Sequence, residues 1–287
     1  MLKHNPGKAA LFMIIATISA TIMQVCVKFL AHIPVVELIF FRSIISLLLS
    51  GSYIIRNRIP VWGNNKKLLV IRALAGVFAL TLFFLTLQKL PLASAITLQY
   101  LSPFFSVLLG RFILKEKFKK LQLFFFLMAI FGIAIMGAFD ERIPFIYAVM
   151  GVVAAFFAGL AYNFIRLLGK TDHPMTAVFY FPLLATPVMA IPTYLQWVTP
   201  SLTDIFWIIG MGVFTQFLQY YTAKSVQSDT LSQVTIIKYL GIVFGITAGW
   251  FIFNESLSME NIAGITIVTI AVIGNYFFVT QKKIKPE

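Results

Sequence analysis

The sequence predicts an all-α membrane protein: ten transmembrane helices arranged as two inverted five-helix repeats, residues 1–140 and 141–287. Three observations predict it. The chain is 60% hydrophobic and 11% charged, whereas a soluble domain carries roughly 25% charged residues. It divides into ten apolar stretches close to the ~20 residues that cross a bilayer core. And it repeats itself: a shift of 139 residues lays Leu92–Glu116 over the stretch Thr230–Glu255, so that Tyr100 meets Tyr239, Phe105 meets Phe244, Gly110 meets Gly249 and Glu116 meets Glu255. Each half then holds five spans, an odd number, so the second half enters the membrane upside down relative to the first.

The spans run Ala9–Leu30, Val35–Ile55, Leu68–Gln88, Ala93–Leu114, Leu121–Phe139, Pro144–Leu168, Met175–Trp197, Thr203–Lys224, Thr230–Phe253 and Asn261–Thr280. The first has no cleavage pattern followed by a polar mature domain and is read as a retained helix. The connections are short and leave no room for a soluble domain. The fourth span carries Pro103 where the ninth carries Ile242, so a kink is expected in the fourth alone. Trp62, Trp197 and Trp207 sit near span ends, as interfacial belts place them.

Charge gives orientation. With the N-terminus inside, Lys3, Lys8, Arg56, Arg58, Lys66, Lys67, Lys115, Lys117, Lys119, Lys120, Lys170, Lys224, Lys282, Lys283 and Lys285 all fall on the cytoplasmic side. The opposite loops hold few cations beyond Lys89 and Arg142. Both termini are therefore expected in the cytoplasm. The same distribution accounts for the net charge of +13 without nucleic acid, which is excluded as a partner. Cys26 is the only cysteine, so neither a disulfide within the chain nor a paired-thiol metal motif exists.

The ninth span carries the residue that most needs explaining. Lys238 lies about a third of the way in, and a lysine in hydrocarbon costs on the order of 2.5–3.5 kcal/mol on insertion scales, so it faces protein or a wet cavity. Gly241, Gly245 and Gly249 fall on its side of the helix, and small residues four apart let helices approach closely in lipid. The fourth span repeats the stripe as Ser102, Ser106 and Gly110, but has Gln99 where the ninth has Lys238.

The chain is similar to the drug/metabolite transporter superfamily, in its ten-helix form with two EamA-like repeats. The likeness rests on the fourth-span block with Pro103, its ending FILKE at Phe112–Glu116, the partner ending FIFNE at Phe251–Glu255, and the FFR of Phe40–Arg42. It covers nearly all of the chain. FFR after Glu37 and the FIFNE ending also resemble the S-adenosylmethionine carriers of obligate intracellular bacteria. The resemblance implies a secondary transporter in a bacterial inner membrane, working by alternating access around a site between the halves. The alternatives within it are an S-adenosylmethionine carrier and a multidrug-type exporter.

No catalytic constellation is present. His4, His32 and His173 lie at or beyond span ends, and there is no HExxH, Cys–His pair or phosphate-cradling GxxxxGK[ST]. No enzyme activity, cofactor or metal is expected. The partners expected are a small-molecule substrate and the lipid bilayer, with a homodimer left open. The candidate substrate-binding residues are Lys238, Arg42, Gln99, Tyr100, Tyr239, Gln24, Glu37, Asn163, Gln216 and Tyr220, polar groups inside spans that need partners or a cavity. For Gln99 and the two tyrosines, helix packing is an equal alternative. Lys28 and Arg166, near span ends, read as interfacial anchors; Glu116 and Glu255 read as structural bridges. Deep cations outnumber deep acids, with Glu37 the one carboxylate well inside a span. The expected substrate is therefore a carboxylate-bearing, amino-acid-like metabolite, and Glu37 would carry the proton if transport is proton-coupled.

Overall fold

The computed structural model describes residues 6–113, 120–139, 144–169, 171–228 and 240–284. Eleven helices are found among them: α1 (Pro6–Phe29), α2 (Val35–Arg56), α3 (Lys66–Lys89), α4 (Leu92–Gln99), α5 (Ser102–Ile113), α6 (Lys120–Phe139), α7 (Phe145–Leu168), α8 (Pro174–Leu195), α9 (Leu202–Ser228), α10 (Leu240–Phe253) and α11 (Met259–Ile284). No strand occurs among the described residues. Since α4 and α5 form one span, Leu92–Ile113, these helices amount to ten. Seven are long and apolar enough to cross a membrane, and shorter apolar helices lie in α6, α10 and α11. Large apolar side chains such as Leu74, Phe131, Ile191 and Phe206 point outward, as a lipid-facing surface requires.

Local chemistry sets the helix ends. Pro34, Pro91 and Pro144 stand immediately before α2, α4 and α7, where the missing proline N–H removes a donor the first turn does not use. Asn65 caps α3 by accepting from the Leu68 amide at 3.1 Å. Ser201 and Asp204 cap α9 reciprocally: the Asp204 amide donates to Ser201 Oγ at 3.2 Å, and Asp204 Oδ2 accepts from the Ser201 amide at 2.9 Å.

The kink expected at Pro103 is a full interruption. The helical partner of the Gln99 carbonyl would be the amide of residue 103, which proline lacks. The chain tightens instead, the Leu101 amide bonding to Leu98 O at 3.1 Å before α5 begins. In the ninth span α10 is helical from Leu240 through Ile242, and the counterpart of the break, at Tyr239, lies outside the described residues.

Packing pairs the two halves. α1 lies along α9, α3 along α7, α2 along α8 and α6 along α11, while α10 packs on α4 and α1, and α7 covers α4 and α5. Backbones come close where residues are small. A β-carbon on Gly159 of α7 would stand 2.7 Å from the Ser106 amide nitrogen and 2.9 Å from Ser102 O of α5. The glycine stripe of the ninth span is likewise a packing face. Gly241 abuts the Tyr100 hydroxyl and Gly245 abuts Ile96, both across from α4.

Gly249 makes room for an ionic knot. Asn254 adopts a φ of +50°, turning the chain so that the Glu255 amide bonds to Gly249 O at 3.0 Å and its carboxylate folds back over the glycine. That carboxylate pairs with Lys28 of α1 and accepts the Leu92 amide at 2.8 Å, at the N-terminus of α4 where the helix dipole favours an anion. Lys28 also donates to Leu90 O at 2.8 Å and lies over the Phe253 ring. Glu255 is thus the bridge the sequence suggests. Lys28 is not the headgroup anchor its place near a span end suggests, because a carboxylate and a carbonyl inside the bundle claim its donors first.

Glu255→Gln keeps the bond to the Leu92 amide but leaves Lys28 without a counter-charge. It should destabilise the protein by about 2 kcal/mol, seen as a lower melting temperature in detergent, and Lys28→Met should recover part of that loss in the double variant. An unchanged melting temperature for Glu255→Gln would show that the knot does not hold the bundle.

Candidate functional site

A cavity of about 160 Å³ lies between the halves, lined from α2, α3, α4, α7, α8 and α9. Its polar lining is Arg42, Arg72, Gln99, Tyr162 and Gln219; Leu80, Phe83, Ile165 and Phe181 supply most of the apolar wall. On α3 the lining residues Arg72, Gly76, Ala79, Leu80 and Phe83 recur at helical spacing, so one continuous face of that helix forms the wall.

Two guanidinium groups define the chemistry. Arg42, 6% exposed, donates from Nε to Thr215 Oγ1 of α9 at 3.0 Å. Its Nη1 is sealed from water without a hydrogen-bond partner, as are Nε and Nη1 of Arg72. Both heads lie against one ring: the guanidinium carbons are 5.3 Å (Arg42) and 5.6 Å (Arg72) from the centroid of Phe181. Arg42 also lies 5.9 Å from the Phe84 ring. Phe181 approaches α3 closely because Gly76 has no side chain; a β-carbon there would stand 3.0 Å from the ring. Cation–π contact contributes about 0.5–2 kcal/mol, well short of the several kcal/mol that desolvating each ion costs. No acidic side chain is among the described residues lining the cavity. The Gln99 side-chain oxygen, in the last turn before the Pro103 interruption, is also buried and without a partner. The site therefore presents unused donors and positive potential, with one amide beside them.

Of the residues singled out in the sequence, Arg42 and Gln99 meet in this cavity. Tyr100 sits at the α4–α5 interruption with its hydroxyl over Gly241. Gln216 accepts from Ser46 Oγ at 3.0 Å, in a polar seam between α2 and α9 next to the Arg42–Thr215 bond. Gln24 is buried in α1. Tyr220 packs edge-on against Tyr53, with Lys224 over its ring. Asn163 serves as a pin, its Nδ2 donating to Ser106 O at 2.9 Å and to Gly159 O at 3.0 Å where α7 crosses α5. Glu37, wholly buried, accepts the Val198 amide at 3.0 Å at one end of the bundle, away from the cavity. Lys238 and Tyr239 lie outside the described residues. Arg72 is the site residue that sequence reasoning leaves out: it lies one turn inside its span, where arginines commonly reach headgroups. The signal that marks it is the small and apolar face beginning at Gly76 four residues on.

Polar clasps join the halves at both ends of the bundle. At the end bearing the α1–α2 and α8–α9 loops, His32 Nε2 lies 3.2 Å from Asp204 Oδ1, Glu37 holds Val198, and Phe41 packs on Trp197 at 5.8 Å. At the opposite end, Asp172 accepts from the Asn64 amide, Thr176 Oγ1 donates to Pro60 O at 2.8 Å, and the Tyr180 hydroxyl donates to Trp62 O at 2.8 Å. A shift of 140 residues converts the His32–Asp204 pair into Asp172–Asn64, and a shift of 139 takes Glu37 to Thr176 and Phe41 to Tyr180.

The EamA-like transporter family model matches residues 7–138 and again residues 145–277. The chain belongs to the EamA-like transporter family. It is 29% identical over 269 residues to the pseudopaline exporter CntI of Pseudomonas aeruginosa, covering 92% of this chain and 94% of that one. To the S-adenosylmethionine uptake transporter of Rickettsia prowazekii it is 20% identical, over 94% of this chain and 92% of the relative. A solved crystal structure, 15% identical, superposes with a TM-score of 0.68 over 98% of this chain and all of that chain, a likeness of fold. The resemblance to drug/metabolite transporters seen in the sequence therefore holds, and the protein is a multi-pass membrane protein of a transporter family.

Asn163→Ala should destabilise the protein by about 1–2 kcal/mol through loss of its bond to Ser106 O across the helix crossing and of its bond to Gly159 O within α7, while leaving the order of ligand preference intact. Thermal melting with and without ligand checks both; a changed preference would put Asn163 in the site.

Proposed function

We propose that this protein is a secondary transporter of small, carboxylate-bearing metabolites of amino-acid-like size, moving them across a bacterial inner membrane by alternating access. The observation that carries the reading is the pair of arginines, Arg42 buried and Arg72 half-buried, with unused donors in a cavity without a described acid. A carboxylate replaces the water these groups lose and forms the short, charge-assisted bonds guanidinium favours. The S-adenosylmethionine alternative is less well supported. Its sulfonium cation calls for an acid in the site, and Glu37 lies outside the cavity lining, at the bundle end where it holds the Val198 amide.

The two halves act as inverted repeats that rock about the cavity. Three features support this: the odd number of spans per half, the pairing of helices across halves, and clasps that interconvert under the repeat shift. Opening one end releases Glu37–Val198 and His32–Asp204, while the other end keeps Asp172–Asn64, and the reverse. Both termini lie in the cytoplasm, following the distribution of lysine and arginine.

Two experiments test the reading. In proteoliposomes, the protein should transport radiolabelled amino acids or organic acids, and Arg42→Gln should weaken substrate binding by about 10–100-fold, the loss of a charged hydrogen bond worth about 1.5–3 kcal/mol. Preferential transport of permanently cationic compounds would falsify it. For topology, in a Cys26→Ser background, Thr199→Cys should react with an impermeant maleimide from outside intact cells and Asn64→Cys should not; the reverse pattern overturns the orientation.

A further inference from the structure

We infer that Arg42 and Arg72 form two separate anion subsites, so that the cavity selects substrates with two carboxylates on a short spacer. This rests on the transporter reading above and names its substrate class. Each guanidinium comes from a different helix and keeps its own unpartnered donors: Nη1 on Arg42, Nε and Nη1 on Arg72. Phe181 lies against both heads, 5.3 Å from Arg42 and 5.6 Å from Arg72. Two like charges against one ring, with no described acid in the lining, repel each other and are each short of water. One carboxylate satisfies one head and leaves the other as it was. Two carboxylates satisfy both and cancel the repulsion.

The remaining wall fits the rest of such a molecule. Leu80, Phe83 and Ile165 offer apolar contact to a spacer of a few carbons. The Gln99 side-chain amide is free to pair with an amino or hydroxyl substituent. Arg72 is then a specificity-determining residue: it distinguishes a second carboxylate from a neutral group of the same shape.

Isosteric pairs test this with no assumption about the natural substrate. Binding of L-glutamate and L-glutamine, and of L-aspartate and L-asparagine, is measured on the purified full chain by calorimetry and ligand-induced thermal shift. The dicarboxylates should bind at least 10-fold more tightly than their amides. Arg72→Gln should lower glutamate affinity to that of glutamine while changing glutamine by less than 3-fold, and Arg72→Lys should keep part of the preference. Wild-type protein binding both members of each pair within 3-fold would overturn the two-subsite inference and leave the transporter reading standing. A failure to bind any carboxylate would instead remove that reading. If Arg72→Gln does not purify as a folded protein, the wild-type pairs and Arg72→Lys still decide: equal loss of acid and amide in Arg72→Lys would make Arg72 a general structural residue.

Discussion

Burying a guanidinium in a bundle surrounded by lipid costs several kcal/mol unless hydrogen bonds and opposite charge replace water; this protein buries Arg42 and draws half-buried Arg72 into the same cavity, with two of its nitrogens sealed from water. The surroundings compensate in part. Thr215 takes one donor of Arg42, aromatic faces from α3 and α8 lie against the heads, and Gly76 lets Phe181 approach both. What the protein leaves unmet is what the proposed carboxylate substrate would supply. Positive potential held in a low-dielectric cavity is worth more to a ligand than the same charge at a surface.

The contrast with Lys28 is instructive, because it is another cation drawn into the bundle. Its donors are met by Glu255 and Leu90 O, and Glu255 in turn caps α4 through the Leu92 amide. A paired cation with satisfied hydrogen bonds fixes structure; an unpaired one in a cavity awaits a partner. The small residues serve the first kind of task. Gly249 admits the Glu255 carboxylate, while Gly159, Gly241 and Gly245 bring backbones and side chains together where water does not drive association.

Much of the fold was legible because lipid imposes simple rules. Apolar runs of sufficient length predicted the helices, and Pro103 predicted the break in the fourth span through its missing N–H. The bridging role of Glu255 followed from its place at a helix end. The site was less legible. Periodicity says which residues share a face but not which helix that face meets, so the stripe Gly241–Gly245–Gly249 did not disclose α4 as its partner, and Asn163 did not disclose that its amide pins α7 to α5. Arg72 was hidden by its closeness to a span end, where the same residue type normally reaches headgroups. Depth along one helix does not reveal a long side chain directed inward from near its end.

The repeat explains why the cavity has this chemistry on shared architecture. A shift of 139 residues takes Arg42 to Phe181, Gly76 to Thr215 and Leu80 to Gln219. Two contacts in the cavity are therefore counterparts: Arg42 bonding Thr215 across α2 and α9, and Phe181 packed on Gly76 across α8 and α3. In one position the pair is cation and hydroxyl, in the other ring and glycine. Arg72 in turn shifts onto Met211, a buried apolar residue. The frame repeats while the charge does not. Packing must satisfy both halves alike, since both bury the same kind of helix face. A substrate needs only one of each charged group, so the asymmetric positions are where selection for a substrate is free to act. Gln99 and its counterpart Lys238 follow the same pattern in the sequence: the small-residue stripe is shared and the polar residue beside it differs.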